Sequence, residues 1–239
     1  MLRKINHRNK QQGWFLLIIA ASFILIMLWR ESTIYQRPKV MPLPDVPSES
    51  AMNLLVASDK AFAYRVLILW LQQFDVQAGQ YISYQSMDYE KLIHWLQTLN
   101  KLELTSQYPL LLATRVYSRV ADTNKTRMML EYVFKEFQTN PGKNWRWLAE
   151  ASITAQHKLK DLPLALKFAT ALAEEKNPDI PLWAKDIRLI ILENLGEFEQ
   201  IKLLVGGLLA NKTIMDPNEI RFLSLLMKRV EEKERQNAK

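Results

Sequence analysis

The run Gly13-Trp-Phe-Leu-Leu-Ile-Ile-Ala-Ala-Ser-Phe-Ile-Leu-Ile-Met-Leu-Trp29 holds seventeen consecutive residues without a charge. No other stretch limits the fold so tightly. The bilayer core of about 30 Å is spanned by roughly 20 mostly apolar residues as helix, range about 17–25, and tryptophan favours both interfaces. The run therefore predicts a transmembrane helix over 13–29. Residues 1–12 carry Arg3, Lys4, Arg8 and Lys10 and no acid, while residues 30–50 balance Arg30, Arg37 and Lys39 against Glu31, Asp45 and Glu49. That asymmetry predicts a cytoplasmic basic tail over 1–12 and export of everything after Trp29. A cleaved signal peptide has a shorter apolar region, about 7–15 residues, and a small-x-small cleavage site. Met27-Leu-Trp-Arg-Glu31 offers no such site, so the run reads as an uncleaved signal anchor.

Charge and cysteine usage bound the rest. Of the formal net charge of +7, the tail holds +4 and the residues beyond 50 only +3, so the body gives no nucleic-acid signal. Cysteine is absent, so an exported fold must be held by apolar packing; this fits a bacterial periplasm. The sequons at Asn124 and Asn211 are no more than chance produces and carry no weight as glycosylation sites.

Residues 36–50 contain four prolines and no apolar periodicity, which makes 30–50 a proline-rich linker that reads as a semi-rigid spacer. From Ala51 to Lys239 the pattern is helical. Helices are expected at about 52–77, from 88, and at 108–121, 125–139, 144–159, 162–176, 180–195, 198–211 and 217–235. The first, centred on Val66-Leu-Ile-Leu-Trp-Leu71, reads as the most buried of the domain. Asp161-x-Pro163, Asp179-x-Pro181 and Asp216-Pro217-Asn-Glu219 each set a carboxylate where it can accept free N–H groups and a proline in the first turn. Asp216 and Glu219 have capping-box spacing.

The acidic turns recur. Asp161 in Leu-Lys-Asp-Leu corresponds to Glu197 in Leu-Gly-Glu-Phe 36 residues on, and Asp122 in Val-Ala-Asp-Thr precedes Asp161 by 39. His157-Lys-Leu-Lys-Asp-Leu-Pro-Leu-Ala-Leu-Lys-Phe-Ala-Thr-Ala-Leu172 and Glu193-Asn-Leu-Gly-Glu-Phe-Glu-Gln-Ile-Lys-Leu-Leu-Val-Gly-Gly-Leu208 resemble the turn and second helix of tetratricopeptide repeats. Gly196 falls at that family's turn glycine, Ala165 and Ile201 at its small-residue position, and Pro178 near its closing proline. The resemblance covers about 108–212 and implies an all-α chain in which a single transmembrane helix is followed by a helical-repeat, TPR-like α-solenoid that binds other proteins. A compact irregular helical domain is the alternative architecture.

Chemistry is sparse. His7, His94 and His157 lack metal-ligand spacing to one another, and no phosphate loop, nucleophile elbow or dinucleotide fingerprint occurs. No cofactor, metal or nucleic acid is expected, and the chain does not read as an enzyme. Lys143-Asn-Trp-Arg-Trp147 interleaves cations with aromatics, and the loop Tyr81-Ile-Ser-Tyr84 is the longest irregular stretch of the body. Arg146, Trp147, Tyr81 and Tyr84 are the candidate partner-binding residues, with Trp147 expected to be the exposed tryptophan of its helix and a hot spot beside Arg146. The expectation is a single-pass bacterial inner-membrane protein, held in the lipid bilayer by residues 13–29, with a cytoplasmic N-terminus and a periplasmic domain that scaffolds envelope proteins or holds client chains. The other reading is an envelope enzyme, such as a cell-wall hydrolase on a helical scaffold, for which paired carboxyls in a cleft would speak.

Overall fold

The computed structural model describes residues 2–34, 41–56, 59–77, 80–210 and 216–237. They form eleven α-helices and one antiparallel hairpin of two-residue strands. The chain divides into two compact units, residues 1–41 with 76–82, and residues 42–75 with 83–239.

In the first unit, α1 (Leu2–Ile34) contains the uncharged run. Among the described residues, no helix is long and apolar enough to cross a membrane. The transmembrane anchor over 13–29 is thereby overturned, and with it the bilayer contact, the inner-membrane placement and the assignment of tail and domain to opposite sides. The run has only the minimum spanning length, is interrupted by Ser22 and meets Arg30 and Glu31 directly at its end. The hydroxyl of Ser22 donates to the Ile18 carbonyl at 2.8 Å. Further along, β1 (Val76–Gln77) pairs with β2 (Gln80–Tyr81), Val76 opposite Tyr81, where the end of a helix and then a loop were expected. The Gln77 side-chain amide accepts from the Met41 N–H and donates to the Met41 carbonyl, each at 2.8 Å.

The second unit begins inside the expected spacer, of which residues 35–40 lie outside the described residues, as does Asn211. Its other half is not a free spacer. Leu43 is buried in the core, Trp95 Nε1 donates to the Pro44 carbonyl at 2.9 Å, and Asp45 pairs with Lys91 at 3.0 Å. One apolar residue and the lone carbonyl of a proline-rich strand are enough to dock it.

The expected 52–77 helix is instead α2 (Glu49–Val56) and α3 (Lys60–Gln72), the latter capped by Asp59, whose carboxylate accepts from the Ala61 and Phe62 N–H groups. Nor is α3 the most buried helix. It buries Ala63, Tyr64, Ile68 and Leu71 but exposes Phe62, Val66 and Leu69, because only one of its sides meets α4 (Tyr89–Leu102).

After α4 come α5 (Tyr108–Arg115), α6 (Thr123–Thr139), α7 (Pro141–Thr154), α8 (Leu162–Glu174), α9 (Leu182–Leu195), α10 (Phe198–Ala210) and α11 (Pro217–Asn237). Their starts follow the sequence chemistry. Asp88, Asp122 and Asp161 accept backbone N–H groups of their first turns. Asp179 does not cap α9; Pro181 occupies that position without a side-chain bond. Several helices pack both on the next and on the next but one: α5 meets α6 and α7, α7 meets α8 and α9, α9 meets α10 and α11.

This packing brings together residues about one helical hairpin apart. Asn100 bonds Glu136 at a separation of 36, Arg115 bonds Glu150 at 35, Lys167 bonds Glu131 at 36, and Arg229 bonds Glu193 at 36. Lysines reach back over similar distances to loop carbonyls that no helix satisfies. Lys125 Nζ donates to the Met87 carbonyl at 3.0 Å, Lys143 to that of Ser106 at 3.2 Å, and Lys158 to that of Val120 at 2.6 Å. Burial, with Arg119 nearby, lowers the pKa of the Lys158 ammonium.

The turns aligned in the sequence share a backbone feature. Lys160 (φ 55) and Gly196 (φ 77) are the positive-φ residues among those described, each directly before the acid of its turn. After α7 the chain passes through a π turn over Ala155–Leu159, and the Asp161 N–H closes it on the Ala155 carbonyl at 3.0 Å. Left-handed backbone costs an L-residue with a Cβ about 1–2 kcal/mol and glycine far less. Lys160→Gly should therefore raise stability by about 1 kcal/mol, or about 2–4 °C in Tm, and Gly196→Ala should lower it by a similar amount, since a Cβ there meets only open space. Thermal melts of the two variants check both signs.

Candidate functional site

The described surface is indented where α7, α9 and the first turn of α11 meet. Helical spacing on α9 places Trp183, Asp186, Ile187 and Ile190 along one side, while Ala184 and Ile191 turn into the main core and Leu189 and Leu192 into a second cluster with Ile201, Leu223 and Leu226. Ile153 of α7 and Phe222 of α11 complete the walls of a cleft of about 660 Å³. That volume lies in the range of ligand sites. Trp183 is 54 % exposed, and Ile153, Leu182 and Ile190 are also open to solvent.

At its base the cleft is acidic. Asp216 caps α11 by accepting the Asn218 N–H at 2.9 Å, and the next turn swings Glu219 toward α9 instead of completing a capping box. Asp186 is only 8 % exposed and lines the cleft together with Glu219. Burial first, then the neighbouring Glu219, push the Asp186 carboxyl up to about 8. Burial and a second acid beside it both disfavour the ionised form, so the Asp186 carboxyl keeps its proton at neutral pH. One oxygen of Glu219 is buried without a hydrogen-bond partner. Among the described residues, no lysine, arginine or histidine lines the cleft. Such a pair can accept a cation, donate one hydrogen bond through its proton, or exchange that proton near neutral pH.

The residues singled out from sequence fare differently. Trp147 is only 6 % exposed and is core, a correction of its expected exposure. Its Nε1 donates to Gln107 at 2.8 Å, and Arg115 lies 5.6 Å above its ring. The helix turns Leu148 and Ala151 inward on the same side, so apolar packing against α5 and α6 decides the matter. Arg146 is exposed, but it stacks over Trp145, 5.4 Å from that ring. Trp145 in turn meets Trp183 edge-on at 5.5 Å, so the cation and aromatics of 143–147 do reach the rim of the cleft through the other tryptophan. Tyr84 is half-buried and packs its ring against Tyr117. Tyr81, on β2, is 73 % exposed. His94 and His157 are exposed, and among the described residues no group of three or more His, Asp or Glu side chains is placed to hold a metal ion.

Asp186, Glu219 and Trp183 escaped the sequence reading. The available signal was an acid within the apolar stripe of α9, between Trp183 and Ile190, where a solvated helix face would not place it. Glu219 was absorbed into the capping-box spacing with Asp216.

Two outcomes follow from this geometry. Replacing Trp147 by Ala should cost about 3–5 kcal/mol, seen as a lowered Tm, because it empties a core position and orphans Gln107. Asp186 has a pKa raised above its unfolded value of 3.8, so its contribution to stability is complete below about pH 4 and is lost as pH rises through about 8. Asp186→Asn keeps a donor toward Glu219 but cannot ionise. Its melting temperature should exceed that of the parent by about 4–8 °C at pH 8.5, corresponding to about 2 kcal/mol, and should match it near pH 4.

Comparison with protein families, with characterised proteins and with solved structures finds no match to this chain.

Proposed function

We propose that the chain is a non-enzymatic protein-interaction module of the helical-repeat kind, which takes a segment of a partner into the cleft between α7, α9 and α11. The observation that carries this reading is the cleft itself: about 660 Å³, walled by Ile153, Leu182, Trp183, Ile190 and Phe222, with most of that apolar surface facing water. A contiguous apolar indentation marks a place of contact, and a partly exposed tryptophan at its rim is a side chain enriched among binding hot spots. Support for the repeat character comes from helices that pack on the next but one and from hydrogen bonds recurring at separations of 35–36.

A second reading, a hydrolase, draws on Asp186 and Glu219. Glycoside cleavage by two carboxyls uses groups about 5–9.5 Å apart so that substrate or water fits between them. Here the walls around the two acids are apolar and, among the described residues, offer only Asn218 and Asp216 besides them to hold a polar substrate, which favours docking over that chemistry.

Selection of random peptides on the immobilised full chain tests the first reading. Enrichment of a consensus that disappears on a Trp183→Ala/Ile190→Ser variant, with a melting temperature within about 2 °C of the parent, supports it. Absence of any consensus, or one indifferent to the double variant, overturns the cleft as the binding place.

A further inference from the structure

Several acids on the helices of the second unit have cationic partners from a neighbouring hairpin. Glu150 is held by Arg115 at 2.9 Å, Glu131 by Lys167 at 3.0 Å, and the buried Glu193 by Arg229 at 3.1 Å and Lys233 at 2.9 Å. Asp161 is paired with Arg127. Asp186 departs from this pattern. The neighbouring hairpin brings it Glu219, a second acid, and among the described residues no cation lines the cleft around them. One Glu219 oxygen is shut away from water without a partner, an omission that costs about 1–3 kcal/mol unless something fills it.

We infer that Asp186 and Glu219 are the receptor for a single arginine or lysine side chain of a partner polypeptide, whose flanking apolar residues lie against Leu182, Trp183, Ile190 and Phe222. The occupant is specified from both sides. Two carboxyls at the base demand positive charge, and the aliphatic and aromatic walls exclude a hydrated ion while accepting neighbouring apolar side chains. Arginine suits the place best, because its planar fork can bond both carboxyls while its face rests on Trp183, as Arg146 already rests on Trp145. The inference rests on the reading of the cleft as a protein-docking site and adds the chemistry of what docks.

Binding and titration are linked. The free site holds a proton on the pair at neutral pH; an entering guanidinium leaves both carboxyls ionised and releases that proton to solvent, so affinity rises with pH. The charged groups facing Asp186 are Glu219 and Asp216 from α11; α7 contributes only Ile153 there, and α9 lines the cleft with no other charge.

The test uses the full chain and two synthetic probes of sequence Ala-Leu-Leu-Ala-X-Leu-Leu-Ala-Ala, with X either arginine or its neutral isostere citrulline, followed by calorimetry at pH 6.5 and pH 8.5. The arginine peptide should bind about tenfold tighter at pH 8.5 than at pH 6.5 and release a proton, measured by repeating the titration in buffers of different ionisation enthalpy. The citrulline peptide should bind at least about tenfold more weakly at pH 8.5 and show no pH dependence. Asp186→Asn and Glu219→Gln should each abolish the pH dependence for the arginine peptide, their folding being verified by unchanged helical circular dichroism. Equal binding of the two peptides, or no binding of either, overturns the cation receptor. So does competition by millimolar calcium, which would make the pair an ion site. If random-peptide selection still yields a consensus lacking a basic residue, the docking cleft stands and only the cation receptor falls.

Discussion

Everything in the second unit depends on helices that pack not only on their sequence neighbour but on the helix after it. A helix with one partner needs one apolar stripe, whereas a helix wedged between two hairpins must be apolar over a wider arc. The composition follows that demand: α8 buries Leu164, Ala165, Phe168, Ala169 and Leu172, with Phe168 stacked on Phe134 of α6 at 5.2 Å. Ala165 is small where helices approach most closely, and its carbonyl accepts the Ser152 hydroxyl of α7 at 2.9 Å. Where the demand lapses, as on the outer side of α3, apolar residues remain exposed.

The same spacing organises the polar groups. Loops between hairpins leave carbonyls without donors, and lysines from a later hairpin cover them; acids project where the next hairpin supplies arginine or lysine. Ion pairs of this exposed kind contribute little energy each, but they discriminate between registers because a slip would bring like charges together. Against that regularity, one acid meeting another at Asp186 and Glu219 stands out. Polar groups that the fold itself leaves unsatisfied are more informative about function than those it satisfies, since their cost must be met by something that binds.

Local chemistry was read correctly in many places. Asp88, Asp122, Asp161 and Asp216 each accept N–H groups at a helix start, and Gly196 takes the left-handed backbone that ends α9. These contacts close within four residues, so the sequence near them contains all the parties involved. Asp179 shows the limit: the spacing was right, but Pro181 took the capping position. The apolar run at 13–29 was read by length and charge, and a length at the bottom of the spanning range proved too weak a criterion.

The cleft was not legible in this way. Its parts come from three helices, and Asp186 and Glu219 are joined only because α11 returns against α9 after α10. The choice between Trp145 and Trp147 is of the same kind. Two residues two apart on a helix point to opposite sides, and which side is inside depends on the neighbours against which α7 is laid. By itself, then, the sequence determined the helical period, where the helices beyond residue 107 start and turn, and the recurrence of acidic turns 36 and 39 residues apart, since those are properties of backbone hydrogen bonding and side-chain spacing. Only the tertiary structure decided that Leu43 closes the core, that Trp147 lies inside it and that burial beside a second acid raises the Asp186 carboxyl at the base of an apolar cleft, because burial and electrostatics are set by surfaces brought together from distant parts of the chain.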